Sequence, residues 1–592
     1  MDYYGLMTVS RQLQRLLLPV ALAGFGLLLA PPGRAAEAEK PPPQSALDSA
    51  LFYQTLVGEM SAQAGDAGSA FQLILDAARR TGSAELFERA VQLALGNRAG
   101  DSALQAAQAW GRALPTSRDA LRYHLQILIG LNKLPETVDV IRRDLALVPA
   151  KDRAGALLQL PRYFARASDK KAAATVVEQA LATELASPLN GPAAWTAVGT
   201  LRLVAADSAG ALAAAAKGAA INPALPEPAQ LALALMKPEN PGAEAIVRTY
   251  LAGQPQDEVR MAYVRKLLEA DRLADAGAEL ATLTRQHPAY ADGWLVRGSL
   301  QVQEKQWKPA EESLKRYLSL QTTAPQGQPA REVPEGTDRG EVQAYFLLSL
   351  IAEQEGRYGE AVAYLQKITS PQDRVRVQLR HAGLLAKQGQ LAEARAMVRA
   401  LPQNRAEDAR TKLNAEVQIL RDAKEYQATF DLLGAAITRE PSDVELLYEY
   451  AMAAEKINRL QDMERALRQV IALKPDYHHA YNALGYSLAD RGLRLDEARQ
   501  LVQKALEFAP DDPYIVDSLA WVEFRSGNRQ EALRLLQKAF KAKPDAEIAA
   551  HLGEVLWVLN QRDEAASVWK QGLALNPQND TLLETMRRLQ KQ

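Results

Sequence analysis

Apolar residues recur at helical spacing along most of the chain, and the pattern is clearest near the carboxyl end. Three strings align there, YNALGYSL with VDSLAWVE and AHLGEVLW, and three more follow them, DEARQLVQKAL with QEALRLLQKAF and DEAASVWKQGL. Their apolar positions fall three or four residues apart, which predicts amphipathic helices that each bury one face. The sequence therefore predicts pairs of helices joined by short turns.

The predicted pairs repeat with a period of about 34 residues. Prolines that close successive segments are spaced by 34, 35, 34 and 33 residues, and small residues return at matching places between them. Proline ends a helix because it lacks an N–H group, and a small residue lets two helices approach closely. The recurring positions are Pro441, Pro475, Pro510, Pro544 and Pro577; Gly485, Ala520 and Gly553 in the first helix; Gly492, Gly527 and Asn560 at the turn; and Ala498, Ala532 and Ala565 in the second helix.

One such hairpin cannot bury its own apolar face, so consecutive hairpins must stack. The period and the pattern W/Y-x2-L-G…A…A…P are similar to the tetratricopeptide repeat. This resemblance implies an all-α fold, a right-handed superhelix (α-solenoid) of about fifteen helix-turn-helix units. Further matches are Gly58 with Ala70, Trp195 and Gly199 with Ala211, Trp294 and Gly298 with Ala310, Tyr345 with Ala361, and Ala382 with Ala394.

The pattern also predicts how the chain is divided. We expect a leader over 1–38, a linker over 39–46, a partly degenerate repeat array over 47–322, a Pro/Gly-rich loop over 323–339, a second array over 340–578 and a capping helix over 579–592. The loop is longer than usual inside a compact unit. It is either a solvated insertion or a segment that acts as a hinge or docks a partner.

The amino terminus resembles an export signal. Arg11 and Arg15 precede an apolar run over 16–30, and Ala36 and Ala38 supply an A-x-A cleavage site. The alternative is an uncleaved anchor, because prolines follow the run directly. Both alternatives predict a periplasmic protein, either free or tethered to the inner membrane through the apolar run alone. The start is Met1 or Met7.

Charge and composition exclude several functions. The 592 residues hold 70 Lys and Arg against 71 Asp and Glu, which gives a formal net charge of −1. Nucleic-acid binding requires a basic surface, so we expect none. The chain has no Cys, which excludes disulfides, thiolate metal sites and a lipid-modified cysteine. We therefore expect no lipid anchor.

No catalytic or phosphate-binding motif is evident, and we expect a protein that is not an enzyme and needs no cofactor or metal. His478 and His479, with Asp476 and Asp490 nearby, are the one feature that resembles a metal site. Adjacent residues on a helix point about 100° apart, so the two rings cannot easily share one ion.

The first helix of each pair is expected to line the concave side of the array and to bind protein. Trp and Tyr are typical of binding hot spots. For Phe524 and Trp557, packing between hairpins is an equal alternative. Asn482 and Asp517 replace the Lys and Asn with which related repeats clamp a terminal carboxylate, so a segment with basic and apolar side chains fits better. The candidate residues are Tyr448, Met452, Asn482, Tyr486, Asp517, Trp521, Phe524, Glu554 and Trp557, and Glu455, His479 and Glu547 lie beside them.

The stretch over 440–570 resembles a family of Gram-negative envelope tetratricopeptide adaptor lipoproteins. Its members partner a carboxyl-terminal processing protease and bring it peptidoglycan hydrolases as substrates. The resemblance implies a non-enzymatic scaffold that regulates proteolysis, although this chain lacks the family's lipid-modified cysteine. The alternative is a structural assembly factor of an envelope polysaccharide or secretion machine.

Overall fold

The described part of the chain is helical. The computed structural model describes residues 49–238, 240–322 and 339–590, and these ranges contain α-helices, three short 3-10 helices and no strand. The predicted all-α fold of repeated helical hairpins is confirmed. None of the described helices is both long and apolar enough to cross a bilayer. The predicted leader, anchor and linker lie outside the described residues.

The chain divides into two compact units, the first ending at Lys266 and the second beginning at Leu267. The boundary falls within helix α14, and the predicted loop over 323–339 lies outside the described residues except for Arg339, which begins a helix. The helices up to the boundary are α1 (Ser49–Gln63), α2 (Ala67–Thr81), α3 (Ala84–Gly96), α4 (Gly100–Ala113), α5 (Arg118–Gly130), α6 (Thr137–Leu147), α7 (Arg153–Tyr163), α8 (Lys170–Ala180), α9 (Ala182–Leu185), α10 (Gly191–Val204), α11 (Ser208–Ile221), α12 (Pro226–Leu235), α13 (Pro241–Leu251) and α14 (Asp257–Glu269).

The second unit continues the same alternation of paired helices. Its helices are α15 (Leu273–Gln286), α16 (Ala291–Gln303), α17 (Trp307–Thr322), α18 (Arg339–Gln354), α19 (Tyr358–Gln366), α20 (Arg374–Lys387), α21 (Leu391–Arg399), α22 (Ala406–Asp422), α23 (Tyr426–Arg439), α24 (Val444–Lys456), α25 (Leu460–Leu473), α26 (His478–Asp490), α27 (Leu495–Phe508), α28 (Pro513–Arg525), α29 (Arg529–Ala542), α30 (Ala546–Val558), α31 (Arg562–Leu575) and α32 (Asp580–Gln590).

Aspartates cap the first helix of three late hairpins. The carboxylate of Asp443 accepts the backbone N–H of Leu446 at 2.9 Å, and Asp512 and Asp545 cap α28 and α30 in the same way. An N-cap carboxylate satisfies N–H groups that have no partner inside the helix and interacts favourably with the helix dipole. The aspartates that follow the closing prolines therefore start the next hairpin.

The turns inside the late hairpins require left-handed backbone. Gly492, Gly527 and Asn560 have φ of 65°, 91° and 64°. Glycine adopts this conformation without strain, and asparagine is among the side chains that tolerate it best. The predicted turn positions are confirmed.

The small residues allow close contact between the helices of a pair. A Cβ on Gly485 would lie 2.6 Å from Cγ2 of Val502 and 2.9 Å from the carbonyl oxygen of Ala498. A Cβ on Gly553 would overlap the indole of Trp569, which is 1% exposed. The predicted close approach is therefore confirmed at both glycines.

The repeat is less regular near the amino end. Three 3-10 helices interrupt the array over 134–166, and Pro161 lies inside α7. Proline removes a backbone hydrogen bond from a helix interior, so Pro161 weakens the last turn of α7. These interruptions lie within the stretch over 47–322 for which the sequence predicts a partly degenerate array.

Candidate protein-binding face

The candidate residues lie on four first helices of the second unit, α24, α26, α28 and α30. They differ in exposure. Three of them are buried: Asp517, Trp521 and Glu554 are only 5–6% exposed. The half-buried ones are Tyr448, Met452, Asn482, Tyr486, Phe524 and Trp557.

A buried histidine joins three of these helices. Nδ1 of His551 on α30 lies 2.9 Å from Oδ2 of Asp517 on α28, and Nε2 lies 3.2 Å from the hydroxyl of Tyr486 on α26. His551 is 3% exposed. It therefore connects its own hairpin both to the preceding one and to the one before that.

The ring of Trp521 packs against this histidine. The two ring centroids are 4.3 Å apart with an interplanar angle of 24°, and the ring centroid of Phe524 lies 5.2 Å from that of Trp521. The indole N–H donates to Oδ1 of Asp490 at 3.2 Å. The structure thus gives Trp521 a packing role, whereas we expected its ring to face the groove.

The charge on His551 depends on its carboxylate neighbours. Burial lowers the pKa of His551, but the charge and hydrogen bond of Asp517, helped by Glu547 and Glu554, outweigh it and raise the pKa to about 8. The ring is therefore mostly protonated at neutral pH, and both nitrogens donate, Nδ1 to Asp517 and Nε2 to Tyr486. This gives a charged hydrogen bond in a buried setting.

Several carboxylates act electrostatically on the hydroxyl of Tyr486, which also accepts a hydrogen bond from the ring of His551. Burial raises the pKa of Tyr486 well above its ordinary value, and Asp490, Glu547 and Asp517 raise it further. Burial likewise raises the pKa of Glu455, with Glu547 adding to the increase and Lys456 opposing it. Glu547 of α30 thus acts on both Tyr486 and Glu455.

The amino end of the face is aromatic. The ring of Tyr448 meets the ring of Tyr477 edge-on at 5.5 Å and lies 6.4 Å from the ring of His479. Among the described residues, Oδ1 of Asn482 is buried and accepts no hydrogen bond. The rings of Tyr448, Tyr477 and His479 thus form one aromatic group at this end.

The carboxyl end is held by packing. The rings of Trp557 and Trp569 are 5.5 Å apart within one hairpin, and the guanidinium of Arg562 lies 4.8 Å from the Trp557 ring. Glu554 pairs with Arg588 of α32 at 2.5 Å. These contacts favour the packing alternative for Trp557 and assign Glu554 to the junction with the last helix.

Sequence analysis identified part of this arrangement. The structure brings Tyr486, Asp517 and Trp521 together, whereas Tyr448 and Met452 belong to the hairpin before them. The residues predicted from the sequence do not include His551. This histidine lies four residues after Glu547 and three before Glu554, and therefore on the same helical face. This spacing is the signal in the sequence that indicates His551 as a member of the same face. Binding of protein by the candidate residues stays a prediction.

Comparison with known proteins identifies the repeats. Residues 352–413, 463–513 and 518–580 match family models described as tetratricopeptide repeat. These segments are similar to tetratricopeptide repeats. The last two matches include α26, α30 and most of α28. Tyr486, Trp521 and His551 lie inside the matched segments, and Asp517 lies between the two.

Two curated relatives are similar over part of their length. A TPR repeat-containing protein of Pseudomonas aeruginosa is 37% identical over 211 residues, which is 36% of each chain. Cellulose synthase operon protein C of Pseudomonas fluorescens is 24% identical over 340 residues, 50% of this chain and 26% of that protein. The chain thus covers about a third or less of the length of these relatives.

Solved structures with similar helical arrangements share little sequence. A thermophilic TPR protein of Thermus thermophilus is 22% identical and aligns over 30% of this chain and 94% of its own, with a TM-score of 0.27. The Cut9–Hcn1 hetero-tetramer of the APC/C is 11% identical and aligns over 91% of this chain and 96% of its own, with a TM-score of 0.30.

Proposed function

We propose that this protein is a non-enzymatic scaffold that binds other proteins through the first helices of its late tetratricopeptide repeats. The observation that carries the proposal is a half-buried set of large side chains, Tyr448 and Met452 on α24 and Tyr486 on α26, together with Glu455 on α24 and Glu547 on α30, both of which act electrostatically on Tyr486. Large half-exposed rings supply contact area, and carboxylates select the charge of the partner.

The more specific form of the proposal is a periplasmic adaptor. One stretch of the array holds a carboxyl-terminal processing protease and another holds a peptidoglycan hydrolase, so that cleavage becomes nearly intramolecular. Linking the two raises their effective concentration, and each site needs only modest affinity. The resemblance over 440–570 supports this form of the proposal.

Site-specific photo-crosslinking tests the adaptor. A photoreactive residue is placed at Met452 on the proposed face, and a matched one is placed at Gln503, which is exposed on the second helix α27. We expect crosslinks from position 452 to a processing protease or a wall hydrolase, and none from position 503. If neither class is captured at position 452, the adaptor proposal is wrong.

The second candidate is a strut in a polysaccharide-export machine. It is favoured by the similarity over 340 residues to a protein named for a cellulose synthase operon. The same crosslinking experiment separates the two functions, because a strut is expected to capture components of a polymer-export complex from position 452.

A further inference from the structure

Helix α20, the first helix of its hairpin, presents three cations along one side. At 100° per residue, Arg376, Arg380 and Lys387 fall within an arc of about 40°. Gly383 lies beside this arc, and no atom of the described residues would lie within 4 Å of a Cβ added to it. Arg374 lies about 160° from Arg376, on the opposite side of the helix. We call the side formed by Arg376, Arg380, Gly383 and Lys387 the basic side of α20.

The repeat pattern gives the basic side the same register as the candidate protein-binding face. Ala382 is the small contact residue of α20, as Gly485 is of α26, and Ala382 is fully buried. Five residues after the small residue, α20 has Lys387 where α26 has Asp490. The charge at this position of the repeat therefore reverses between the two hairpins. This reversal indicates that α20 and α26 select partner segments of opposite charge.

Helix α18 holds the three cations in place. The guanidinium of Arg376 lies 4.0 Å from the centroid of the Phe346 ring, a distance at which a cation and an aromatic ring attract each other. Nζ of Lys387 pairs with Oε1 of Glu353 at 2.7 Å, and Arg380 pairs with Oε2 of the same carboxylate. These contacts fix the cations relative to α18, so less ordering is needed when a partner binds.

The charge that the basic side presents to solvent is positive. The side chain of Glu353, which pairs with two of the cations, is only 6% exposed, whereas those of Arg380 and Lys387 are 38% and 44% exposed. Arg376 is exposed and forms no ion pair with a described residue. Partial loss of water around its guanidinium lowers the pKa of Arg376, Asp373 opposes this effect, and Arg380 adds to it. Arginine stays charged in proteins, so Arg376 is a cation without a paired carboxylate.

We propose that the basic side of α20 binds an acidic segment of a partner polypeptide through its Asp or Glu side chains, an inference that rests on the proposed scaffold function. The fork of Arg376 can bind a carboxylate with two parallel hydrogen bonds, and Lys387 supplies a second positive charge. These two cations lie about 16 Å apart along the helix. An extended chain covers this distance in about five residues. The segment therefore carries two carboxylates about five residues apart.

Acidic side chains, and not the end of a chain, match this spacing. A carboxyl terminus brings a single main-chain carboxylate, which cannot contact two cations about 16 Å apart. The open space at Gly383 lies between Arg376 and Lys387 and leaves room for the backbone of an extended segment. Phe346, which is half-buried beside Arg376, offers contact to an apolar side chain of the same segment.

Fluorescence anisotropy with the purified full chain tests the acidic segment. The probe is a labelled peptide of Gly and Ser with Glu at every fifth position, amidated at its carboxyl end, and its control has Gln in place of Glu. We expect saturable binding of the Glu peptide that weakens as salt is raised, and about tenfold weaker binding of the Gln peptide. Arg376→Gln should weaken binding of the Glu peptide about fivefold. Arg374→Gln is the matched control on the opposite side of α20 and should leave the affinity unchanged.

Gly383 allows a test in both directions that removes no existing contact. Gly383→Lys should strengthen binding of the Glu peptide about threefold, and Gly383→Glu should weaken it by a similar factor. Both variants should keep the helix content of the unmodified chain, because no described residue lies within 4 Å of a Cβ at this position. Circular dichroism checks the helix content.

The proposal is wrong if the Glu peptide does not bind, if the Gln peptide binds equally well, or if Arg374→Gln weakens binding as much as Arg376→Gln. It is also wrong if binding requires a free carboxyl terminus, or if phosphatidylglycerol vesicles or single-stranded DNA bind more tightly with the same dependence on Arg376. Crosslinking from position 452 probes a different helix, α24, so failure of the acidic-segment site and failure of the proposed function can be told apart.

Discussion

At the scale of single residues, the most informative group is His551. Its ring is buried, stacks on Trp521 and is bonded on both nitrogens by side chains from two other hairpins. The sequence places these residues on the first helices. It does not show that a ring and a carboxylate 34 residues apart form a buried pair, because that depends on how far each hairpin rotates relative to the last.

The unfolding free energy should fall in mildly alkaline solution because the ion pair between His551 and Asp517 is then lost. The pKa of His551 is about 8 in the folded chain and about 6.5 when unfolded. Because the folded value is the higher one, the stabilisation is complete below pH 6.5 and is lost as the pH rises through about 8. The difference between the folded and unfolded pKa of His551 corresponds to about 2 kcal/mol of unfolding free energy.

Thermal melts between pH 6 and pH 9 measure this loss. His551→Gln should remove the pH-dependent part of it. His381→Gln is the control, because burial lowers the pKa of His381, and this variant should keep the wild-type decline. An identical decline in His551→Gln would show that other groups cause it.

Trp521 should contribute to stability more than to partner binding. It is 5% exposed and its indole donates to Asp490, so Trp521→Ala should cost about 3–5 kcal/mol of unfolding free energy. Tyr448→Ala, at a half-buried position, should mainly weaken capture of a partner. An unchanged melting curve for Trp521→Ala, together with lost capture, would restore its assignment to the groove.

At the scale of elements, helix pairs, turns and small contact positions follow from the sequence. The period, the closing prolines and the left-handed turn at Gly492 depend on residues close together in the chain. Such local features can be read from hydrophobic periodicity and from the positions of Gly and Pro. The irregular stretch over 134–166 is harder to predict, because three short 3-10 helices and a proline inside α7 interrupt the helical spacing there. The partner of each small residue also has to be read from the structure, as with Gly553 and Trp569.

Gly553→Ala should destabilise the last hairpin by about 1–3 kcal/mol, because the added Cβ overlaps the buried indole of Trp569. Gly383→Ala is the matched control. Gly383 lies inside helix α20 with no atom within 4 Å of an added Cβ, so alanine should stabilise the helix by about 0.5–1 kcal/mol. Calorimetry of both variants measures the difference, and shifts of the same sign would contradict the assigned packing.

At the scale of the whole molecule, stability should be local. Hairpins of a repeat array contact their neighbours, so a defect weakens its own region first. Hydrogen exchange of Gly553→Ala should show lost protection over 546–575 and unchanged protection over 84–130, around the buried Trp110. Loss of protection in both regions would mean that the chain unfolds as one cooperative unit.

The hydrogen bond between Tyr486 and His551 has an evolutionary consequence. Repeat proteins commonly lengthen or shorten by duplicating or losing one hairpin, which is tolerated where each hairpin meets only the next. Here α26 reaches past a whole hairpin to α30. Excision of 513–542 would remove Asp517 and Trp521, and duplication of 513–542 would place an additional hairpin between Tyr486 and His551. We expect homologous chains to vary in repeat number everywhere except within this trio of hairpins.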